Sequence, residues 1–468
     1  MVRHYIQYFL LVVILIPGCT PVDDTSPSQE DFFVKFYGDS QVETGDDVLI
    51  TDTGYLVFGS TNSPTLNSNG GDDVDFFLVF TDFEGNETNR LSFGTEFDEV
   101  PKRIKPTSDG GYIMVGTTTI FNAGDPSTNV DDSQHTNVIV YKLDASGTEQ
   151  WSYNYGFAKT TPVNTADIED SNEEGYDVVE TTDGDFVVLG TTNNVRTNKD
   201  NPNPDTDIAD LYLFKISGTG ADNSMIWQRI DGFVGNDQGR SLVTINGGGF
   251  AVMGNTDVEK DGSGGGTNII FLTANDEGLN RQFKVFGSGD DSNDFASKMK
   301  PTSDEGFIIV GTAATAAGNR TILMKVTANR TLTFFETLEV NEEVTTAGVA
   351  SRTGNPINND GNDVIELSTG GYLVVGKRTG GFLEGDPSGE DIYLIKTDPF
   401  GKLTEGETTE LKEGLFERKF GGLGNDQANA IVELPSGKLV IAGTNDFGGT
   451  NSTMMTLMKL NRRGELLR

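Results

Sequence analysis

The sequence predicts an all-β chain: a seven-bladed β-propeller of four-stranded antiparallel blades, with the N-terminal strand closing the last blade. Three observations carry this. A turn-and-strand unit recurs seven times, each copy sits among three further strand-like runs, and the two chain ends hold complementary parts of one unit.

The clearest copy is DGGYIMVGTT, residues 109–118. It returns as TGYLVFGST from Thr53, DGDFVVLGTT from Asp183, GGGFAVMGNT from Gly247, DEGFIIVGTA from Asp304, TGGYLVVGKR from Thr369 and SGKLVIAGTN from Ser436. The Asp and Gly residues suit a tight turn, because they accept positive φ or cap their own backbone. The Tyr-Ile-Met-Val run that follows is apolar without alternation, as a strand covered on both faces requires. It is too short for a stable helix. The residues opening the strand are Tyr55, Tyr112, Phe186, Phe250, Phe307, Tyr372 and Leu439, spaced by 57, 74, 64, 57, 65 and 67 residues. A fixed supersecondary unit with loops of varying length produces that spacing.

Each unit contains four runs. The first precedes the turn, as at residues 103–107, 177–181, 241–245, 363–367 and 430–434. The second is the DGGY strand. The third is apolar and often ends in Lys or Asp, as in DFFLVFTD from Asp75, NVIVYKLD from Asn137 and DIYLIKTD from Asp391. The fourth alternates and usually ends in Gly. QWSYNYG from Gln150 places Trp151, Tyr153 and Tyr155 on one face, the pattern of a half-exposed outer strand. Unit five departs, with no terminal Gly and an irregular connection expected over 341–359. The predicted blades are approximately 45–94, 98–156, 172–235, 236–287, 291–340, 359–421 and 424–468 plus 31–38. The C-terminus stops where the fourth strand of unit seven is due, and DFFVKFYG at 31–38 has the fourth-strand pattern ahead of unit one. Donating it to the last blade removes an open sheet edge.

Ahead of this single domain (31–468), residues 1–18 read as a lipoprotein signal peptide and 19–30 as a flexible, proline-containing tether. Arg3 and His4 begin the signal, and an apolar stretch from Phe9 to Ile16 is too short to span a bilayer. Ile16-Pro17-Gly18-Cys19 resembles the bacterial lipobox, which implies lipidation at Cys19. Cys19 is the only cysteine, so no intrachain disulfide is available. Asp23 and Asp24 resemble the acidic signal that sends some lipoproteins of the Bacteroidetes to the cell surface. The expected location is the bacterial outer membrane, periplasm-facing or surface-exposed, with the membrane as a partner through the lipid.

The formal net charge of −37 argues against nucleic acid and against flat docking on an anionic membrane. The two histidines are His4 and His135, the latter read as part of an acidic surface loop. Zinc sites rich in His or Cys and cysteine nucleophiles are excluded on those counts. A Ser-His-Asp triad has only His135 to use, and no catalytic residue is assigned. Acidic clusters occur at Asp72-Asp73, at Asp205 with Asp207 and Asp210, at Asp290-Asp291 with Asp294, and at Asp360 with Asp363. Such groups suit Ca²⁺, although none completes an EF-hand loop, so the metal content is left unknown and no other cofactor is expected. Paired carboxylates also serve glycoside hydrolysis, but no pair stands out among 71 acidic residues.

The DGGYIMVGTT strand followed by VIVYKLDASGTEQWSYNYG, residues 138–156, resembles the repeat of exported bacterial and archaeal propellers, grouped with WD40-like and quinoprotein-like propellers. The segment Leu143-Asp144, Gly147, Trp151 resembles the blade-docking pattern of pyrroloquinoline-quinone proteins. Only Trp151 and Trp227 exist, so the tryptophan is missing from most blades and no quinone is expected. The resemblance implies the fold and no particular activity. Connections between strands two and three, and four and one, fall on one side of the ring and are long and acidic, as at 119–136, 193–209, 256–267 and 378–390. The expectation is a non-enzymatic scaffold that presents this face to an envelope protein or a glycan. The alternative is a carboxylate-based polysaccharide hydrolase or lyase.

Overall fold

A computed structural model describes residues 32–466 apart from 40, 122–133, 157–170, 194–208, 220–224, 234, 259–265, 289–291, 317, 339–343, 347–348, 352–357, 380–388, 404–413 and 448–451. Seven four-stranded antiparallel sheets, each a simple meander, form a seven-bladed propeller. Blade 1 runs Asp47–Ile50, Tyr55–Thr61, Asp75–Thr81, Glu87–Phe93 from the inner strand to the outer. The inner strands of blades 2 to 7 begin at Glu99, Glu173, Asp237, Asn293, Asn359 and Gln427. Blade 7 takes its outer strand from the start of the chain: Phe33–Tyr37 pairs antiparallel with Thr453–Leu460, Phe33 opposite Lys459 and Tyr37 opposite Met455. The expected ring closure is therefore present.

The apolar core lies between blades rather than in one central mass. Seven clusters of buried side chains occupy the seven seams. The seam between blades 3 and 4, for example, packs Val187, Leu189, Leu211 and Leu213 against Leu242, Phe250, Val252 and Ile270. Second strands such as Phe250–Thr256 are buried at every position, which explains their unbroken apolar sequence. Outer strands such as Glu87–Phe93 are largely exposed and carry polar residues. Fully burying one such Phe or Leu is worth roughly 1.5–3 kcal/mol. With the contacts spread over seven seams, each blade depends on both neighbours.

The glycine within each repeat has a steric cause. The inner strands of blades 2 to 7 carry a bulge, at Pro101/Arg103 in blade 2 and Gly361/Asp363 in blade 6, among others. The bulge pushes a carbonyl toward the second strand. A Cβ on Gly116 would collide with the carbonyl oxygen of Val100, and one on Gly376 with that of Asp360. The turn aspartate is anchored as well. Asp109 accepts from Gly111 N at 3.0 Å and pairs with Lys142 Nζ at 2.8 Å. Asp183 with Lys215 and Asp304 with Lys325 repeat this pair at 2.6 and 2.8 Å. The lysine that often ends the third run is thus the partner of the turn aspartate.

Three expectations are corrected. Inner strands start about four residues before the runs read from the sequence, because their first residues are polar yet buried: Glu99, Glu173 and Asp237 are all fully buried. The connection after blade 5 is not wholly irregular, since Val344–Thr346 pairs with Val349–Ser351. His135 is not a loop residue. It lies in Gln134–Leu143, opposite Ile120, and is 9% exposed. The signal peptide, Cys19 and the tether lie outside the described residues. No helix among the described residues is long and apolar enough to cross a membrane.

Candidate functional site

Two regions gather polar side chains in a way that bears on function: the axis of the ring and the rim between blades 6 and 7. At the axis, the residue after the bulge in blades 2 to 7 and Asp47 in blade 1 point inward. Going round, the positions are Asp47, Arg103, Asp177, Ser241, Lys298, Asp363 and Ala430. Lys298 Nζ lies 3.3 Å from Asp47 Oδ1, a contact between the non-adjacent blades 5 and 1, and 3.4 Å from Asp363 Oδ2. Arg103 lies 3.6 Å from Asp47 and 3.7 Å from Asp177. Two residues on, Lys105 pairs with Asp177 at 2.7 Å and Lys300 with Asp363 at 2.8 Å. These lysines also donate to the carbonyls of Leu242 and Ile431. Side chains therefore fill this layer of the axis.

The electrostatics agree. Burial alone would push the Asp47 carboxyl up, but the charges of Lys298, Arg103 and Lys300 outweigh it and hold it below the usual range. Burial lowers Lys105 and Lys300, partly offset by Asp177 and Asp363. Every cation here has a carboxylate partner, and the carboxylates Asp177 and Asp363 also accept backbone N–H from Leu242 and Ile431. The arrangement locks opposite blades together.

The rim is different. A cavity of about 790 Å³ opens between the outer parts of blades 6 and 7, lined by Phe36, Phe447, Leu423, Asn445, Asp426 and Arg418 among others. Ring closure creates it. Along Phe33–Tyr37 the side chains alternate: Phe33 and Tyr37 pack toward blade 1, while Val34 and Phe36 face blade 6. Phe36 meets Phe447 edge-on at 5.1 Å, and both stay exposed, at 40% and 47%. The strands that flank the opening, Phe33–Tyr37 and Phe416–Phe420, have five residues each, against seven in Glu87–Phe93. Arg418 stacks its guanidinium on Phe416 at 5.0 Å and pairs with Glu465 at 3.1 Å. Asp426 accepts N–H from Gly422 and from Asp446, each at 2.9 Å. Burial first, then the nearby Asp391 and Asp446, push its carboxyl up to about 6.

The acidic clusters read from the sequence are dispersed. Asp73 is tied into a local turn, its carbonyl accepting from Asn67 Nδ2 at 2.8 Å. Asp210 and Asp294 sit in seams between different blades, and Asp363 lies on the axis while Asp360 pairs outward with Lys377 at 3.9 Å. Asp205, Asp207, Asp290 and Asp291 fall outside the described residues. Among the described residues no group of three or more His, Cys, Asp or Glu is placed to hold a metal ion. Most of the long connections at 119–136, 193–209, 256–267 and 378–390 also fall outside the described residues. Sequence reasoning missed the rim cavity, whose residues are joined only by closure of the ring.

No protein-family profile matches the chain, and no curated protein sequence matches it. The likenesses are to solved structures. A polysaccharide lyase aligns over 91% of this chain and 91% of its own, at 9% identity and a TM-score of 0.48. A puromycin hydrolase aligns over 88% of this chain and 52% of its own, at 11% identity and a TM-score of 0.46, so the chain spans about half the length of that enzyme. An α-L-arabinofuranosidase of Fusarium graminearum aligns over 61% of this chain and 92% of its own, at 12% identity and a TM-score of 0.36. Likeness at these levels speaks to the propeller fold and transfers no activity. It does correct one expectation. All three relatives by shape are enzymes, so the reading of this chain as a non-enzyme is withdrawn.

Proposed function

We propose that this propeller is an envelope scaffold, lipid-anchored through Cys19, that binds a glycan in the rim cavity between blades 6 and 7. The observation that supports the reading is the pairing of exposed aromatic faces, Phe36 and Phe447, with Asn445, Asp446 and Arg418 around one opening. Sugar C–H faces suit aromatic rings, and sugar hydroxyls donate to carboxylates and amides. A chain with a net charge of −37 repels anions, so a neutral polyhydroxylated ligand is favoured over an acidic one.

The test is calorimetric titration with a panel of neutral and uronate-containing oligosaccharides. Neutral ligands are expected to bind, and Phe36→Ala or Phe447→Ala to weaken binding by about tenfold, the worth of one aromatic contact. Binding unchanged in both variants would remove the cavity as the site.

One observation favours a second reading, hydrolysis or elimination at the same cavity. Asp426 lines it, and a carboxyl raised to about 6 carries its proton in mildly acidic surroundings, as a general acid must. Under that reading Asp426→Asn abolishes reducing-end release from a bound glycan while leaving glycan affinity within a few-fold. Equal turnover in both proteins, or none in either, would discard it.

A further inference from the structure

The chain enters the ring on one particular side. Phe33 stands opposite Lys459, and Thr453–Leu460 runs straight on into a hairpin that Asn461 N closes by donating to the Glu465 carbonyl at 3.0 Å. The tight hairpins, between first and second strands and between third and fourth strands, share this side of the ring. The long connections lie on the other.

The point of entry is firmly seated. Phe32 and Phe33 are buried, with Lys438 Nζ 5.1 Å from the Phe32 ring and Lys459 Nζ 5.8 Å from that of Phe33. The blade 1 hairpin, 82–86, is joined to the same strand. Tyr37 Oη donates to the Gly85 carbonyl at 2.8 Å and Lys35 Nζ to Asn86 Oδ1 at 3.2 Å. Lys459 Nζ donates to the Phe83 carbonyl at 2.7 Å. Tension on the chain ahead of Phe32 is therefore carried by the corner where blades 7 and 1 meet. Thirteen residue steps separate Cys19 from Phe32, a span of at most about 45 Å. The eight-residue strand Thr453–Leu460 is about 27 Å long. Turning the long-loop side toward a surface that holds Cys19 would spend most of that span climbing the side of blade 7. The tight-turn side meets the same surface directly.

What this side displays suits a lipid surface. Arg462 and Arg463 are exposed in the blade 7 hairpin, where Arg462 Nε donates to the Ser436 carbonyl at 2.8 Å. Phe83 is exposed in the blade 1 hairpin, next to an exposed Glu84. Phe400, in the blade 6 hairpin 398–402, is 67% exposed, the highest value for a large apolar side chain among the described residues. Aromatic rings settle at the level of lipid headgroups, and arginine pairs with phosphate. The net charge of −37, with Glu84 on this side, disfavours a purely anionic surface. A zwitterionic headgroup fits better, with phosphate for the arginines and ammonium for Glu84.

We propose that the ring stands with its tight-turn side on a phosphatidylethanolamine surface, touching it at the hairpin tips of blades 6, 7 and 1, and turns its long-loop side away. This rests on the lipid anchor at Cys19 proposed above, and the test separates the two. Residues 19–468, which contain every described strand, are coupled through the Cys19 thiol to a maleimide lipid. The vesicles are phosphatidylethanolamine and phosphatidylcholine, with and without brominated chains. Coupling fixes the anchor point whatever a cell does to Cys19. Reporters are Phe83→Trp and Phe400→Trp on the tight-turn side and Phe295→Trp on the long-loop side, each read against Trp151 and Trp227 in the native chain. Brominated lipid is expected to quench the first two reporters roughly twofold and to leave the third unchanged. Adding Arg463→Glu to Phe83→Trp is expected to remove most of its quenching. Quenching of Phe295→Trp as strong as that of Phe400→Trp, or of no reporter, would overturn the orientation. If Phe83→Trp does not fold, Phe400→Trp and Phe295→Trp decide between them. The mass of the Cys19 peptide from cells that make the protein reads the anchor separately. An unmodified Cys19 there would remove the anchor and the proposal with it, whereas a lipidated Cys19 with Phe295→Trp quenched would overturn the orientation alone.

Discussion

The axis of the ring and the rim between blades 6 and 7 both bring charged side chains together, and they do so under opposite conditions. At the axis, four cations and three carboxylates interleave, nearly all of them shielded from water, with contacts that reach across non-adjacent blades. Among the described residues each of these charges has a partner of opposite sign. At the rim, Phe36, Phe447 and Leu423 remain exposed around a cavity, and Asp426 is held by backbone N–H groups rather than by a cation. Removing a partner from a complete buried network leaves an uncompensated charge. Removing a side chain from an open cavity costs little stability and changes what the cavity can hold. Charge pairing completed in the fold therefore marks structure, and polar groups left facing an opening mark the candidate site.

The comparison breaks most directly at Asp363. Asp363→Ala strands Lys300, leaves Lys298 with Asp47 alone, and removes the acceptor for the Ile431 N–H. Unfolding in urea is expected to show a loss of about 3–5 kcal/mol. A loss below about 1 kcal/mol would mean that water replaces the carboxylate and that the axis is less closed than its contacts indicate.

Phe36→Ala sharpens the contrast from the other side. The same urea titration is expected to register a loss of less than about 1.5 kcal/mol, because the ring is already 40% exposed and its main contact is one edge-on pair. A loss as large as that of Asp363→Ala would assign Phe36 to the core and weaken the case for the cavity.

The smallest effect is expected at the turns. The hydrogen bond from Lys142, with that from Thr107, holds the Asp109 carboxyl down to about 2, and Asp183 and Asp304 are held down in the same way by Lys215 and Lys325. A depressed folded pKa contributes stability that is present above the unfolded value near 4 and is lost as the pH falls toward 2. These aspartates are about half exposed, so each pair is worth less than about 1 kcal/mol. Thermal melts of Asp109→Asn should match the native protein at pH 2 and fall slightly below it at pH 6. A variant that stays below the native protein at pH 2 would show that the turn depends on side-chain shape rather than on charge.

Much of the architecture was legible because it is written in local, repeated signals. The run from Tyr112 to Val115 is apolar on both faces, Gly116 makes room for the bulge opposite, and Asp109 with Gly110 forms the turn. The glycines that follow outer strands were legible too, although their reason was not: Gly94, Gly232 and Gly421 leave space for the carboxylates of Asp75, Asp237 and Asp391. The polar starts of the inner strands were missed because Glu99 and Asp237 look like loop residues until the neighbouring blade buries them. His135 was misplaced for the same reason, as an acidic neighbourhood in sequence proved to be the extended end of a strand. The rim cavity carried no sequence signal. Phe36, Leu423 and Phe447 belong to three segments, and only the seating of the first strand in the last blade brings them together.

By itself the sequence determined the all-β class, the seven units, the order of strands within each and the closure by a strand within residues 31–38. Periodicity, turn chemistry and β-propensity act over a few residues, so one copy carries them and seven copies make them unmistakable. Only the tertiary structure decided which acids pair with lysine and where an opening remains. Those outcomes depend on distances between residues of different blades and on the loss of water around them, and both are set when the ring closes.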